Sequence, residues 1–344
     1  MKTKMKLKSI AALLFVSFAL CLSACKNQPT DFDDYGTTAV YFPYQTPIRT
    51  IILGNYDAGI NDNDNNHCFE IGASMSGVYT NEIDRLVYFS VDETLLDNVA
   101  NVEAMPTDYY TIETSSPAVI SVGDTKGRIL VQLTDKFFED LKSVDNTVYS
   151  VNYVIPIRMT GCEGFDYIIS GDAAVDDPCI TVADDWDVLP KNYTLFGVKY
   201  INKYSGYYLR RGSDERTAAD GTTSEVVYQE EYVEYDELTL LSTVDFTTVD
   251  YTNRIRRDGD TDEGTLSLKL QFDDEDKCEV TMDGTVIGSG SFVEDGDEWG
   301  GNDMDVIYLD YSYTSDSGDL HHVQDTLVVR DRNVVFETFE IENY

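Results

Sequence analysis

Histidine is almost missing from this 344-residue sequence, which holds only His67, His321 and His322. No His-Glu-x-x-His pair occurs, and no cysteine spacing suits zinc. His321 and His322 are adjacent, so on a strand they face opposite sides and cannot hold one ion together. Positive charge is also scarce: 25 Lys and Arg stand against 63 Asp and Glu, for a formal net charge of −38. That field repels phosphate backbones and excludes nucleic acid as a partner. It equally argues against charge-driven docking on an anionic membrane. The apolar run that begins near Ile10 is too short to cross a bilayer as a mature helix, which needs about 20 apolar residues. Proline is limited to 8 residues. No Gly-x-Ser-x-Gly elbow, Gly-rich phosphate loop or internal repeat is found. Glycosidase carboxylates are not excluded by composition, because acids occur throughout.

What is present begins with a leader. Lys2, Lys4, Lys6 and Lys8 precede the apolar run, which ends in Leu22-Ser23-Ala24-Cys25. A basic head, a short apolar segment and small residues before a cut point make a secretory signal over residues 1–24. The last four residues resemble the lipobox of bacterial lipoproteins. That resemblance implies cleavage before Cys25 and acylation of Cys25, a membrane anchor made of lipid. Loss of the leader removes four lysines and no acid, taking the formal charge from −38 to −42. Residues 25–38 read as a polar tether. Lys26 and the acids Asp31, Asp33 and Asp34 resemble the export signal that follows the lipid cysteine in Bacteroidetes surface lipoproteins.

The rest reads as all-β. Tyr (24) and Phe (15) are abundant, and Asp/Asn/Gly turns separate runs rich in Val, Ile, Tyr and Thr. Residues 39–183 hold about seven strands and suggest an immunoglobulin-like sandwich. Two short helical pieces are expected, at Glu93–Val99 and Asp135–Leu141. Pro156, inside an alternating run from Val151 to Met159, suggests an edge strand or a bulge. Residues 184–192 look like a linker, with Trp186 read as a packing residue between domains or a ligand platform. Residues 193–344 form a second unit. Leu266–Phe272, Cys278–Met282 and Ile307–Tyr313 alternate, and Asp283-Gly284 is a two-residue hairpin turn. Gaps too short for a helical crossover make the strands a meander, in an eight-stranded lipocalin-like barrel or an open sandwich. Four cysteines remain after the leader and Cys25, allowing three pairings. Cys162 and Cys179 flank a hairpin-like segment and are the first candidate disulfide.

Two stretches resemble known domains. Ala39-Val40-Tyr41-Phe42-Pro43 with Tyr153-Val154-Ile155-Pro156-Ile157-Arg158 resembles a domain of unknown function that opens many Bacteroidetes surface lipoproteins. The run from Tyr193-Thr194-Leu195-Phe196 to Tyr207-Tyr208-Leu209-Arg210-Arg211-Gly212 resembles the C-terminal domain often found behind it. The arrangement is similar to surface glycan-binding lipoproteins that accompany SusC/SusD transporter pairs in polysaccharide utilisation loci. It implies non-catalytic capture of a glycan at the outer membrane. A surface glycoside hydrolase and a structural or adhesive lipoprotein are the alternatives. About 150 residues follow the N-terminal domain, too few for a glycosidase barrel of about 250.

Candidate ligand residues are aromatic, because sugar rings present apolar C–H faces to flat rings. Gly290–Val293 reads as a strand and Glu294–Asp303 as the polar loop after it, in which Trp299 would bind sugar or cap a barrel end. Tyr204, Tyr207 and Tyr208, with Arg210 and Arg211, are a second cluster, binding or strand-pairing. No cofactor is expected, with calcium as the one option. Asn61–Asn66 and Asp258–Gly264 offer carboxylates and amides at alternate positions, as simple turns do. His67 and Glu263 stand where an EF-hand loop needs glycine.

Overall fold

The computed structural model describes residues 34–344 apart from Tyr35, 146–148 and 258–260. The leader and Cys25 lie outside the described residues. No helix among those described is long and apolar enough to cross a membrane.

The first unit is a sandwich of two sheets. Its strands are β1 (Ala39–Tyr41), β2 (Pro47–Ile52), β3 (Cys68–Ser76), β4 (Arg85–Val91), β5 (Glu103–Ala104), β6 (Tyr110–Ile112), β7 (Ala118–Ile120), β8 (Lys126–Leu133) and β9 (Tyr153–Glu163). They continue with β10 (Tyr167–Ile168), β11 (Asp172–Ala173), β12 (Trp186–Val188) and β13 (Tyr193–Ile201). One sheet runs β10-β1-β3-β8-β6, the other contains β2-β13-β9-β4-β7 with β5 on β9, and β11 and β12 pair separately as a two-stranded ribbon. Facing rows of Val40, Ile71, Val131, Ile155 and Val198, each almost wholly buried, fill the space between them. The expected helical pieces survive as a 3-10 turn at Glu93–Leu96 and a short α-helix at Asp135–Glu139.

The second unit is β14 (Gly206–Thr217), β15 (Thr223–Tyr228), β16 (Glu237–Thr243), β17 (Thr248–Arg257), β18 (Thr261–Phe272), β19 (Lys277–Met282), β20 (Thr285–Trp299), β21 (Asn302–Thr314) and β22 (Leu320–Asp331). They form one meander, and β14 pairs back onto β22 from Tyr207↔Asp331 to Thr217↔Leu320. Eight strands therefore close into a barrel, with β15 added to the far half of β14. Asp283 and Gly284 turn β19 into β20 with φ of 49° and 76°, the left-handed pair that a two-residue hairpin needs.

Three expectations are corrected. β13 does not open the C-terminal unit: it pairs with β2 and β9 inside the sandwich. Its residues are buried on both faces (Leu195, Val198 and Tyr200 are 0 % exposed), as befits a central strand. After the barrel closes, β23 (Glu337–Thr338) returns to β2, so the chain's end also belongs to the sandwich. Pro156 is in a central strand, but Asp92 N–H donates to its carbonyl where β4 has already ended. Its missing N–H costs nothing to the ladder at that point.

The units are joined through buried polar contacts. Arg332 donates to the carbonyls of Ser205 (2.7 Å), Asn55 (2.7 Å) and Asn202 (2.6 Å). Asn55 Nδ2 donates to Asp305 of the barrel. Phe246 of the barrel packs edge-on to Phe138 of the sandwich.

Candidate functional site

Three cavities lie along the seam and abut one another. The first, about 410 Å³, opens between the sandwich sheets at Thr50, Ser74, Lys126 and Thr194, under the crossing segment Val334–Phe336. The second, about 230 Å³, is lined by Tyr56, Asp57 and Arg330–Val335. The third, about 640 Å³, lies on the barrel side at Asp295, Trp299, Asp303 and Arg330. Tyr56, Val334 and Val335 belong to both the first and second, and Asp57 and Arg330 to both the second and third. One groove thus runs from the sandwich mouth to the barrel edge.

Its walls carry uncovered aromatic rings. Tyr44 is 51 % and Phe336 62 % exposed, with ring centroids 4.8 Å apart and tilted by 50°. Tyr56 is half-buried further along. Ile60, at 91 % exposed, adds an apolar flank. Large apolar side chains gathered in a groove mark a contact surface rather than a core. The polar groups are equally definite. Arg49 pairs with Asp64, whose carboxylate also accepts from Ile52 N–H at 3.0 Å. Burial pushes the Asp64 carboxyl above its ordinary pKa, and the Ile52 and Arg49 contacts only partly offset this. The Thr194 hydroxyl is buried without a hydrogen-bond partner.

Trp299 is in this groove, but it is on a strand and not in a loop. The acidic stretch continues β20, which shifts register between Val293 and Asp297 and places Trp299 opposite Asn302. The indole packs partly on the barrel core and its N–H donates to Val329 O at 2.8 Å. It therefore both caps the barrel and lines the third cavity.

The tyrosine cluster does not join it. Tyr208 and Arg210 point into the barrel, because alternate residues of a barrel strand face inward. Arg210 is 1 % exposed, bonded to Asp325 at 2.9 Å and placed 4.4 Å from the Tyr228 ring centroid. Tyr204 is buried and stacked on Phe272 at 3.7 Å, and its hydroxyl donates to Asp276. Tyr208 donates to Tyr204 O. Tyr207 is half-buried and lines none of the three seam cavities. A sugar chain on the surface has no access to the buried three.

Cys162 and Cys179 are free, as are Cys68 and Cys278. The segment between the first two is not a simple hairpin. Tyr167–Ile168 crosses to β1, and Asp172–Ala173 pairs with β12. Cys179 ends beside Asn98 and Thr181, while Cys162 packs on the sandwich core. Trp186 belongs to the same excursion, with its N–H on Cys179 O.

Of the two acid-rich loops, Asn61–Asn66 becomes a helical turn whose polar groups are used internally. Asn61 donates to the carbonyls of Ile52 and Gly54, and Asp64 faces Arg49. In the other, residues 258–260 lie outside the described ones and Thr261 already begins β18. Among the described residues no group of three or more His, Cys, Asp or Glu could hold a metal ion. His321 is buried against Asp214, whereas His322 is exposed against Asp310, on opposite faces of β22.

Residues that sequence reasoning missed are Tyr44, Tyr56, Lys126, Arg330 and Phe336. Tyr44 adjoins the Ala39–Pro43 motif, and Val334-Val335-Phe336 is an apolar triplet that reads as strand. No local pattern tells that it bridges two units and leaves Phe336 exposed.

Residues 203–333 match the domain of unknown function DUF5627, and residues 32–166 match a "-like, N-terminal domain". No curated protein matches. A Bacteroides ovatus multidomain protein including DUF1735 is 12 % identical, covering 89 % of this chain and 99 % of its own, with a TM-score of 0.38. A Bacteroides thetaiotaomicron auxiliary nutrient binding protein is 15 % identical, covering 86 % and 95 %, with a TM-score of 0.34. A Bacteroides ovatus protein of unknown function is far more similar, with a TM-score of 0.79. At 37 % identity over 91 % of this chain and 100 % of that one, the chain belongs to the same family as this Bacteroides ovatus protein.

Proposed function

We propose that the protein captures a polysaccharide or oligosaccharide at the bacterial cell surface without cleaving it, and that the seam groove is where the chain lies. The observation that carries this reading is the continuity of the groove together with its aromatic walls, Tyr44 and Phe336 at one end and Trp299 at the other. An extended ligand with alternating apolar faces and hydroxyls fits such a surface. Rings stack on its C–H faces, while Asp57, Asn61 and Arg330 meet its hydroxyls. The lipobox Leu22–Cys25 supports attachment to the outer membrane through lipid. The resemblance to surface glycan-binding lipoproteins supports delivery to a SusC/SusD-type transporter.

The test is a glycan-binding screen on the purified protein, with product analysis of every glycan that binds. Binding without new reducing ends is expected. Phe336→Ala should weaken it by about fivefold, in line with about 1 kcal/mol for one aromatic contact. Release of oligosaccharides would move the protein to the hydrolases. Binding unchanged in both Phe336→Ala and Trp299→Ala would remove the groove from the account.

A further inference from the structure

Resting on the groove reading, we infer that the bound glycan is anionic, and that a sugar carboxylate or sulfate is held at the sandwich end of the groove by Lys126 and Arg49. In a chain with 63 acids and 25 bases, a cation without a partner is unusual. Nearly every base whose side chain is described is engaged. Most sit in ion pairs, such as Arg128 with Glu70, Lys136 with Asp108 and Arg216 with Asp319. Arg85 is bonded to Asn81 and Gly164, Arg332 to three carbonyls, and Lys191 lies over the Tyr41 ring. Among the described residues, the side chains of Lys126 and Arg330 have no ion pair, hydrogen bond or ring contact, and both line the groove.

The two ends differ. Arg330 shares its cavity with Asp57, Asp295 and Asp303, so that end is negative and suited to hydroxyl groups. The first cavity holds Lys126 and Arg49 against one carboxylate, Asp64. It is therefore net positive inside a molecule of charge −38. Asp64 fixes only one edge of the Arg49 guanidinium, whose side chain remains 39 % exposed. A planar fork held in this way presents its remaining donors in a geometry that matches a carboxylate or a sulfate. Thr194, whose buried hydroxyl has no hydrogen-bond partner, belongs to the wall of the same cavity. Repulsion from the rest of the surface is screened beyond about 8 Å at physiological ionic strength, so the cations nearest the ligand decide contact.

The experiment compares polygalacturonate, chondroitin sulfate and neutral dextran on the purified protein at two salt concentrations. One or both anionic polymers should bind at least tenfold more tightly than dextran, and the preference should shrink as salt rises. Which of the two binds tells carboxylate from sulfate. Lys126→Met should abolish the preference without lowering the melting temperature, and Lys126→Arg should restore it. Equal or tighter binding of dextran, or a Lys126→Met protein with its preference intact, would overturn the inference while leaving the groove reading in place. If all three polymers bind and none responds to either Phe336→Ala or Trp299→Ala, the groove reading fails and takes the inference with it.

Discussion

Asp140 accepts hydrogen bonds from the hydroxyls of Tyr153 (2.6 Å) and Tyr109 (2.9 Å) and from Lys142 N–H (2.9 Å). Burial alone would raise its pKa, but these donors outweigh burial and hold it below the ordinary carboxylate value. A carboxylate depressed in the folded state contributes stability above its unfolded pKa of about 3.9, and that contribution is lost as pH falls through the folded value. Asp140→Asn should therefore flatten the acid limb of stability against pH, measured by urea unfolding between pH 7 and pH 2. Parallel limbs for the two proteins would show that Asp140 is not the group. The cysteines give a second contrast. Burial pushes the Cys278 thiol up to about 12 and raises those of Cys68 and Cys162. At Cys179 burial acts the same way but is overcome by hydrogen bonds with Thr181 and Asn98, which bring the thiol below its usual value. A thiol reagent should label Cys179 first in the folded protein, because the thiolate is the reacting species; labelling of Cys278 at the same rate would contradict the packing. Residue types were legible in the sequence, but their surroundings were not. Arg210 looked like a ligand residue because its partner Asp325 is 115 positions away.

Strands with one wet face were the most readable elements. β18, β19 and β21 alternate cleanly, and Asp283-Gly284 marked its own turn. The sequence reading ends β20 at Val293 because residues 294–298, across the register shift, carry no apolar side chain that could continue an alternation. β13 was misplaced for the opposite reason. Buried on both faces, it gives no alternation that could say which sheet owns it. The barrel's closing pair, β14 with β22, depends on a close approach that only glycine allows. A Cβ on Gly212 would lie 2.1 Å from Gln324 O and 3.0 Å from Asp325 Cα. These are backbone atoms of the partner strand, so relief requires the seam to widen. Gly212→Ala should cost about 1–3 kcal/mol in urea unfolding. Gly72→Ala, where a Cβ meets nothing within 4 Å, should be close to neutral. Equal effects at the two sites would show that the seam tolerates the methyl group.

At the scale of the molecule, the groove exists because the chain leaves the sandwich, builds the barrel and comes back. β13 leads out, Arg330–Phe336 leads back over the seam, and β23 docks on β2. A cut at the sequence-suggested boundary, between residues 192 and 193, would remove β13 from between β2 and β9 and split one sheet in two. The fragment 34–192 would then expose the unpaired edges of both strands, together with the apolar surface that Leu195, Val198 and Tyr200 now cover. It is expected to aggregate or to bind a hydrophobic dye strongly, measured by size exclusion and dye fluorescence. The complementary fragment 193–344 would carry β13 and β23 with no sheet to receive them. Neither half would bind a glycan that the whole chain binds, since Tyr44 and Lys126 lie on one piece and Arg330 and Phe336 on the other. A monomeric, cooperatively unfolding 34–192 that retains binding would show that the sandwich alone holds the site. In that event the barrel would be a spacer, and the aromatic wall at Phe336 and Trp299 would have no part in recognition.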